Sequence, residues 1–185
     1  MLEITVPADE VFDETNNRFV KINHEFTVHL EHSLVSISKW ESKYHKSFLD
    51  SPNKTDEELK QYVRFMLISQ NVSDEMFNRI VSNASIIKQI NKYMQDPMTA
   101  TSFSDKRITN GNQPPKKSYV TTEQIYSAMS RWQIPYSCEK WHINRLLTLI
   151  KVRRIEENGD NKQSKKDAMS RQRAINAAAR ARRHH

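Results

Sequence analysis

The stretch from Cys138 to Val152 constrains the fold more than any other part of the chain. On an α-helix of about 3.6 residues per turn, its polar residues form one narrow stripe, and its large apolar residues cover most of the remaining circumference. A surface helix is apolar on one side, whereas a helix that is apolar nearly all round has neighbours on every side. The pattern predicts a mainly α-helical domain around a central buried helix at about 138–154. The residues expected in its core are Trp40, Trp132, Trp141, Leu146, Leu149 and Ile150.

Short strand patterns precede the helical part. Residues 2–6 alternate apolar and polar side chains before Pro7, and two further strand candidates, residues 19–22 and 26–30, follow turn-forming residues at 13–17. We expect residues 2–31 to form a small antiparallel β-hairpin or three-stranded sheet. So small a sheet is not stable alone, so it is expected to pack against helices.

Apolar residues at helical spacing then mark several helices with recognisable start signals. In a capping box, two side chains satisfy backbone N–H groups that the first helical turn leaves open. A single Ser can accept one such N–H group as an N-cap. The predicted signals are the capping boxes of Thr55 with Glu58 and Thr121 with Gln124, and the N-caps Ser73, Ser85 and, for the central helix, Ser137.

Composition divides the chain into a helical domain at 1–155 and a basic tail at 156–185. Within the domain, residues 95–120 read as one long loop, and loops of that length are commonly functional or disordered. The net charge of +7 arises entirely from residues 151–185, since basic and acidic residues cancel in 1–150. We expect the tail to be flexible, or helical only against a partner.

The tail carries the residues with the clearest binding chemistry. Clustered Lys and Arg side chains neutralise nucleic-acid phosphates without reading sequence. The alternative is a solvated extension, or an arm that docks on an acidic protein surface, and the tail lacks the aromatic residues with which single-strand binders stack bases. We favour a solvated extension or a docking arm over a nucleic-acid-binding tail. The candidate partner-binding residues are Lys165, Lys166, Arg171, Arg173, Arg180, Arg182 and Arg183.

Catalytic, metal and cofactor sites find no support in the sequence. The one cysteine, Cys138, lies four residues before His142, but a zinc site needs three or four ligands, and the other histidines are dispersed. Gly-rich phosphate loops and known catalytic motifs are absent. No apolar run is long enough to span a membrane, and the amino terminus lacks a secretory pattern. We therefore expect a cytoplasmic, non-enzymatic protein without cofactors.

Several stretches of the chain resemble one family. In order along the sequence, they match a family of small tailed-bacteriophage proteins labelled tail assembly chaperones. The most specific match is the block Glu-Lys-Trp-His-Ile-Asn-Arg-Leu-Leu-Thr-Leu-Ile, and the resemblance covers most of the chain. The matching stretches are residues 30–49, 96–104, 122–126, 134–150 and 169–178.

The resemblance implies a factor made in the cytoplasm of an infected bacterium. Such a protein binds the long, largely helical tape measure protein and keeps it soluble until tail tube subunits polymerise around it. It implies no catalytic residues, and self-association is left open. Two other functions remain as hypotheses: a structural virion component, such as a connector, tail or capsid-associated subunit, and a nucleic-acid-binding protein that uses the basic tail.

Overall fold

The computed structural model describes residues 1–101, 121–157, 169–170 and 172–173. These residues are mainly helical and begin with small antiparallel sheets, which confirms the predicted fold class at that level. The chain divides into two units, Met1–Leu146 and Leu147–His185. None of the helices among the described residues is both long and apolar enough to cross a lipid bilayer.

The first 30 residues form two separate two-stranded sheets in place of one hairpin or three-stranded sheet. Strand β1 (Leu2–Val6) pairs antiparallel with β4 (Phe26–Leu30), and Leu2 lies opposite Leu30. Between them, β2 (Glu10–Asp13) pairs antiparallel with β3 (Arg18–Lys21). Strand β2 differs from the prediction, which placed no strand at residues 10–13, because only two of these four residues are apolar.

Three of the five predicted start signals mark helix starts, at Thr55, Ser73 and Thr121. Thr55 and Glu58 form the predicted capping box, and Ser73 accepts from Met76 N–H over 3.2 Å. Asn83, not Ser85, caps the fourth helix, because its Oδ1 accepts from the N–H groups of both Ser85 and Ile86. The helices include α1 (Leu34–Tyr44), α2 (Asp56–Met66), α3 (Asp74–Ser82), α4 (Ala84–Gln95), α5 (Thr122–Arg131) and a 3₁₀ helix (Tyr136–Lys140). Residues 143–157 are helical as well.

The core of the first unit draws on both ends of its sequence. Ile4 and Leu30 bring in the inner face of the β1–β4 sheet, α1 adds Leu34, Ile37 and Trp40, and later elements add the rest. Trp40 also donates from its indole N–H to the Glu58 carbonyl over 2.9 Å. The largest fully buried side chains are Ile4, Leu30, Leu34, Ile37, Trp40, Tyr62, Met66, Ile80, Ile90, Met129, Ile143 and Leu146.

The predicted central helix at 138–154 is wrong at its start. Residues Tyr136–Lys140 form a 3₁₀ helix that includes Ser137, Trp141 is extended, and regular helix begins only at residue 143. Tertiary hydrogen bonds explain the break: the Ile143 N–H donates to the His32 carbonyl over 2.7 Å, and His142 pairs with Ser33 as an isolated β-bridge. These contacts outweigh the local preference for helix.

The predicted core residues divide into two groups. Trp40 and Leu146 are fully buried, but four others are only half-buried: Trp132, Trp141, Leu149 and Ile150. Each of these tryptophans carries an arginine on its ring face. The Arg145 guanidinium lies 4.5 Å from the Trp141 ring centre, and that of Arg131 lies 5.6 Å from the Trp132 ring. An indole covered by a charged side chain stays near solvent, so neither ring enters the core.

Only part of the second unit is described. Residues 147–157 are helical, and Ile155 is 51% exposed. Residues 169–170 and 172–173 are also helical and exposed. Most of the predicted flexible tail, and residues 102–120 of the predicted loop, lie outside the described residues.

Candidate functional site

An apolar groove lies between α2 and α4, with one side chain from α3. Its volume is about 220 Å³. Leu59 stands at the rim and is 41% exposed, while Val63 and Ile90 are buried at the base. Asp56 and Lys60 place one charge of each sign along the α2 side. The apolar lining residues are Leu59, Val63, Val81, Ile87, Ile90 and Met94.

The helical spacing of these residues creates the groove. Leu59 and Val63 are four residues apart on α2, so they lie on the same face one turn apart. On α4, Ile87, Ile90 and Met94 follow the spacing of three and four residues that defines one helix face. Both helices therefore turn an apolar stripe towards the groove, although neither stripe is fully covered.

Tyr62 closes the groove from behind and links it to a buried polar cluster. Its ring stacks on Phe48 with centroids 3.9 Å apart, and its hydroxyl is hydrogen-bonded to His32 Nδ1. Burial, and to a lesser degree the Glu31 charge, raises the pKa of Tyr62 well above its usual value. The phenol therefore stays protonated and acts as a structural hydrogen-bonding group.

His32 and His142 form the centre of that cluster, with ring centroids 5.1 Å apart. His142 Nε2 lies 3.0 Å from the Tyr93 carbonyl, which can only accept, so Nε2 carries the proton. His142 Nδ1 accepts from the Asn144 N–H over 3.3 Å. With one nitrogen donating and the other accepting, His142 is the neutral tautomer.

The environment keeps both imidazoles uncharged. Burial, reinforced by His142, lowers the pKa of His32 to about 3, and burial is also the main cause that lowers the pKa of His142. Beside them, the Tyr93 hydroxyl donates to Glu31 Oε1 over 2.6 Å. The cluster joins the corner between β4 and α1 to α2, α4 and the segment around His142. Its geometry suits holding the fold together.

The structure places a second buried carboxylate at the start of α5. Glu41 Oε2 accepts from the N–H and the hydroxyl of Thr122 over 2.8 and 2.7 Å, and its Oε1 accepts from the Phe48 N–H over 2.8 Å. A carboxylate at a helix amino terminus satisfies open N–H groups and favours the helix dipole. Glu41 thus docks the start of α5 onto α1.

Among the described residues of the first unit, the β2–β3 hairpin groups the most exposed apolar side chains. Phe12 and Phe19 contact each other across the strands with ring centroids 5.2 Å apart, yet they are 44% and 69% exposed. Val11, Val20 and Ile22 are exposed as well. The signal for this hairpin was present in the sequence: Glu-Val-Phe-Asp at 10–13 is mirrored by Arg-Phe-Val-Lys at 18–21 around a turn.

Arg79 on α3 fastens the base of this hairpin. Its guanidinium donates to the Pro7 carbonyl over 2.5 Å and to the His24 carbonyl over 3.2 Å, and its Nε lies 3.1 Å from Asp9 Oδ2. The same guanidinium lies over the Phe26 ring at 5.0 Å. One side chain therefore binds both connections that lead into and out of the hairpin.

The structure describes only some of the candidate residues named from the sequence. Arg173 is exposed in a helical segment, and the other cationic candidates lie outside the described residues: Lys165, Lys166, Arg171, Arg180, Arg182 and Arg183. Cys138 is buried. Within the part of the chain that the structure describes, no three His, Cys, Asp or Glu residues are grouped so that they could hold a metal ion.

The groove and the histidine cluster were not found from sequence, because each joins elements that lie far apart along the chain. Comparisons of the chain with protein-family models, with curated proteins and with solved structures give no match.

Proposed function

We propose that this chain is a non-enzymatic tail assembly chaperone of a tailed bacteriophage. It binds the tape measure protein, and with it tail tube subunits, in the cytoplasm of the infected host. The observation that carries this proposal is the partly open apolar groove between α2 and α4. The identity of the client comes from the family resemblance of the sequence.

The groove has the chemistry of a helix-binding site. Helix-in-groove recognition uses apolar anchors at i, i+3 or i+4 and i+7 of a client helix, which enter an apolar groove between helices. Leu59, at the rim, is positioned to contact such anchors, and half-buried Val81, Ile87 and Met94 continue the surface. Asp56 and Lys60 can pair with charges of either sign that flank a client's apolar stripe.

A long helical client gains solubility from this kind of contact. A tape measure protein before assembly exposes apolar stripes that its final neighbours later cover, and exposed apolar patches promote aggregation. A chaperone that covers some of them through a shallow groove binds weakly enough to be displaced by tube subunits. The exposed Leu59 rim fits such a reversible contact better than a deep pocket would.

The experiment is co-expression of the full chain with the tape measure protein from the same phage genome. We expect a soluble complex with the unchanged chain. Leu59→Asp should weaken the complex by about tenfold or more, because loss of one well-placed apolar anchor costs about 1.4 kcal/mol or more. Ile68→Asp is the matched control, since Ile68 is 52% exposed and does not line the groove.

Far-ultraviolet circular dichroism of both variants verifies that the body remains folded. A tape measure protein that is equally insoluble with and without the chain would overturn the proposal. Equal binding by Leu59→Asp and Ile68→Asp would exclude the groove as the client site.

A structural virion component is the second candidate, and the exposed β2–β3 hairpin favours it, since such arms often become covered between subunits. Mass spectrometry of purified particles separates the two functions. Stoichiometric presence of the chain supports a virion subunit, whereas its absence from particles supports the chaperone.

A further inference from the structure

Packing within the β2–β3 hairpin does not require apolar side chains on both of its faces. In an antiparallel pair, directly opposite residues share a face. Phe12 with Phe19 therefore lies on one face, and Val11 with Val20 lies on the other. All four side chains are at least 37% exposed. An isolated two-stranded hairpin is marginally stable, and further strands stabilise it, so this hairpin gains stability from a neighbouring strand.

Both edges of the hairpin offer backbone hydrogen bonds. The Ile22 N–H donates to the Asp9 carbonyl over 3.0 Å, so the pair that continues the register beyond Glu10 and Lys21 is hydrogen-bonded. Bonded and non-bonded pairs alternate in antiparallel strands. The N–H and C=O groups of Glu10 and Phe12 on β2, and of Phe19 and Lys21 on β3, therefore point outwards. Among the described residues, no further strand pairs with either edge.

The two edges carry opposite charges. Strand β2 is bounded by Glu10 and Asp13, and β3 by Arg18 and Lys21. Pairing two β2 edges or two β3 edges brings like charges together, which destabilises a sheet, whereas pairing β2 with β3 brings opposite charges together. The contact of lowest energy repeats the pairing already present within the hairpin.

We propose that copies of this chain associate head to tail, with the β2 edge of one copy paired antiparallel to the β3 edge of the next. Glu10 then lies opposite Lys21 of the neighbouring copy, and Phe12 lies opposite its Phe19. The contact is heterologous, so the assembly grows beyond a dimer into a ring or an open filament. The Arg79 contacts at the hairpin base hold the arm ready for this pairing. The proposal is independent of client binding in the groove.

The first test is sedimentation velocity of the purified full chain over a concentration series. The average mass should rise with concentration and pass the mass of a dimer. Phe19→Ser should remain monomeric, and Ile68→Ser, also an exposed apolar residue outside the hairpin, should behave as the unchanged chain. A chain that is monomeric at every concentration, or a mass that stops at the dimer, overturns the proposal.

The second test exchanges the charges of two exposed residues, so the substitutions should not disturb folding. The double variant Glu10→Lys/Lys21→Glu keeps opposite charges within the hairpin, so it should associate with itself as strongly as the unchanged chain does. Mixed contacts place like charges opposite each other and should be weaker by about fivefold. Fluorescence energy transfer between labelled chains measures the preference. Equal mixing, or preferred pairing of the variant with the unchanged chain, contradicts β2-to-β3 pairing.

Discussion

The two small sheets of the first unit are built from adjacent segments but have opposite environments. In the β1–β4 sheet, Ile4, Val6, Val28 and Leu30 are buried, while the residues between them face outwards. In the β2–β3 sheet every apolar residue remains exposed, on both faces. Helices cover the inner face of the first sheet, whereas the described residues provide no cover for the second.

This difference distinguishes the β1–β4 sheet, which stabilises the core, from the β2–β3 sheet, which we propose as a binding surface. Alternation of buried and exposed side chains marks a sheet that completes a core. Apolar side chains on both faces of a short exposed hairpin contribute little to that core, and we propose that they serve contacts with other chains. We therefore expect substitutions in the first sheet to change the free energy of unfolding and substitutions in the second to change association.

The largest expected effect comes from equal substitutions at two sites, one in the β1–β4 sheet and one directly after strand β3. Ile4 is 2% exposed and Ile22 is 63% exposed. Ile4→Ala should lower the free energy of unfolding by about 3 kcal/mol, because it removes buried methyl groups and leaves a cavity. Ile22→Ala should change it by no more than about 0.5 kcal/mol. Urea denaturation at a concentration where the chain is monomeric measures both values.

Similar losses from the two substitutions would contradict the comparison. They would mean that the hairpin is part of the folded core and that its exposure does not identify a binding surface.

A smaller effect is expected from pH at the corner that follows the first sheet. The pKa of His32 is lowered from an ordinary value near 6.5 to about 3 by burial, so the unfolded chain binds a proton more readily than the folded chain. Stability from this group is complete above pH 6.5 and is lost as the pH falls towards 3. Between pH 7 and pH 5 the loss should be about 2 kcal/mol, and burial of His142 adds a loss in the same direction.

The variant His32→Asn isolates this contribution. Asn retains a hydrogen-bonding side chain near Tyr62 but does not titrate, so the free energy of unfolding at pH 7 should fall by about 1–3 kcal/mol. Its further loss between pH 7 and pH 5 should be smaller than that of the unchanged chain. Urea denaturation at the two pH values measures this, and an unchanged loss on acidification would show that His32 is not the responsible group.

Features that depend on neighbouring residues were predictable from sequence. Three predicted features rest on local chemistry, and the structure contains them. They are the capping box of Thr55 with Glu58, the Ser73 cap, and the strands β1 and β4. The start of the helix at 143–157 was not predictable. Residues 138–152 fit one helix by periodicity, but hydrogen bonds from His142 and Ile143 to residues distant in the sequence divide the stretch. The apolar residues before the break and those after it therefore do not lie on one helix.

The candidate site was less accessible to prediction than the fold. The groove needs α2 and α4 to lie side by side, and no sequence period encodes that arrangement. Glu41 illustrates the same limit: it falls on the buried side of α1, but only the structure places Thr122 against its carboxylate. The β2–β3 hairpin could have been predicted from the sequence, because the mirrored residues around its turn indicate a cross-strand register.

Hydrogen–deuterium exchange of the chain, alone and in its soluble complex with the tape measure protein, tests the central claim most directly. That claim is that the groove between α2 and α4 binds a helical client while the buried histidine cluster only supports the fold. We expect amides in Asp56–Met66 and Ala84–Gln95 to exchange more slowly in the complex, and amides of the β1–β4 sheet to be unaffected. Unchanged exchange in both helices of a verified complex would contradict the account.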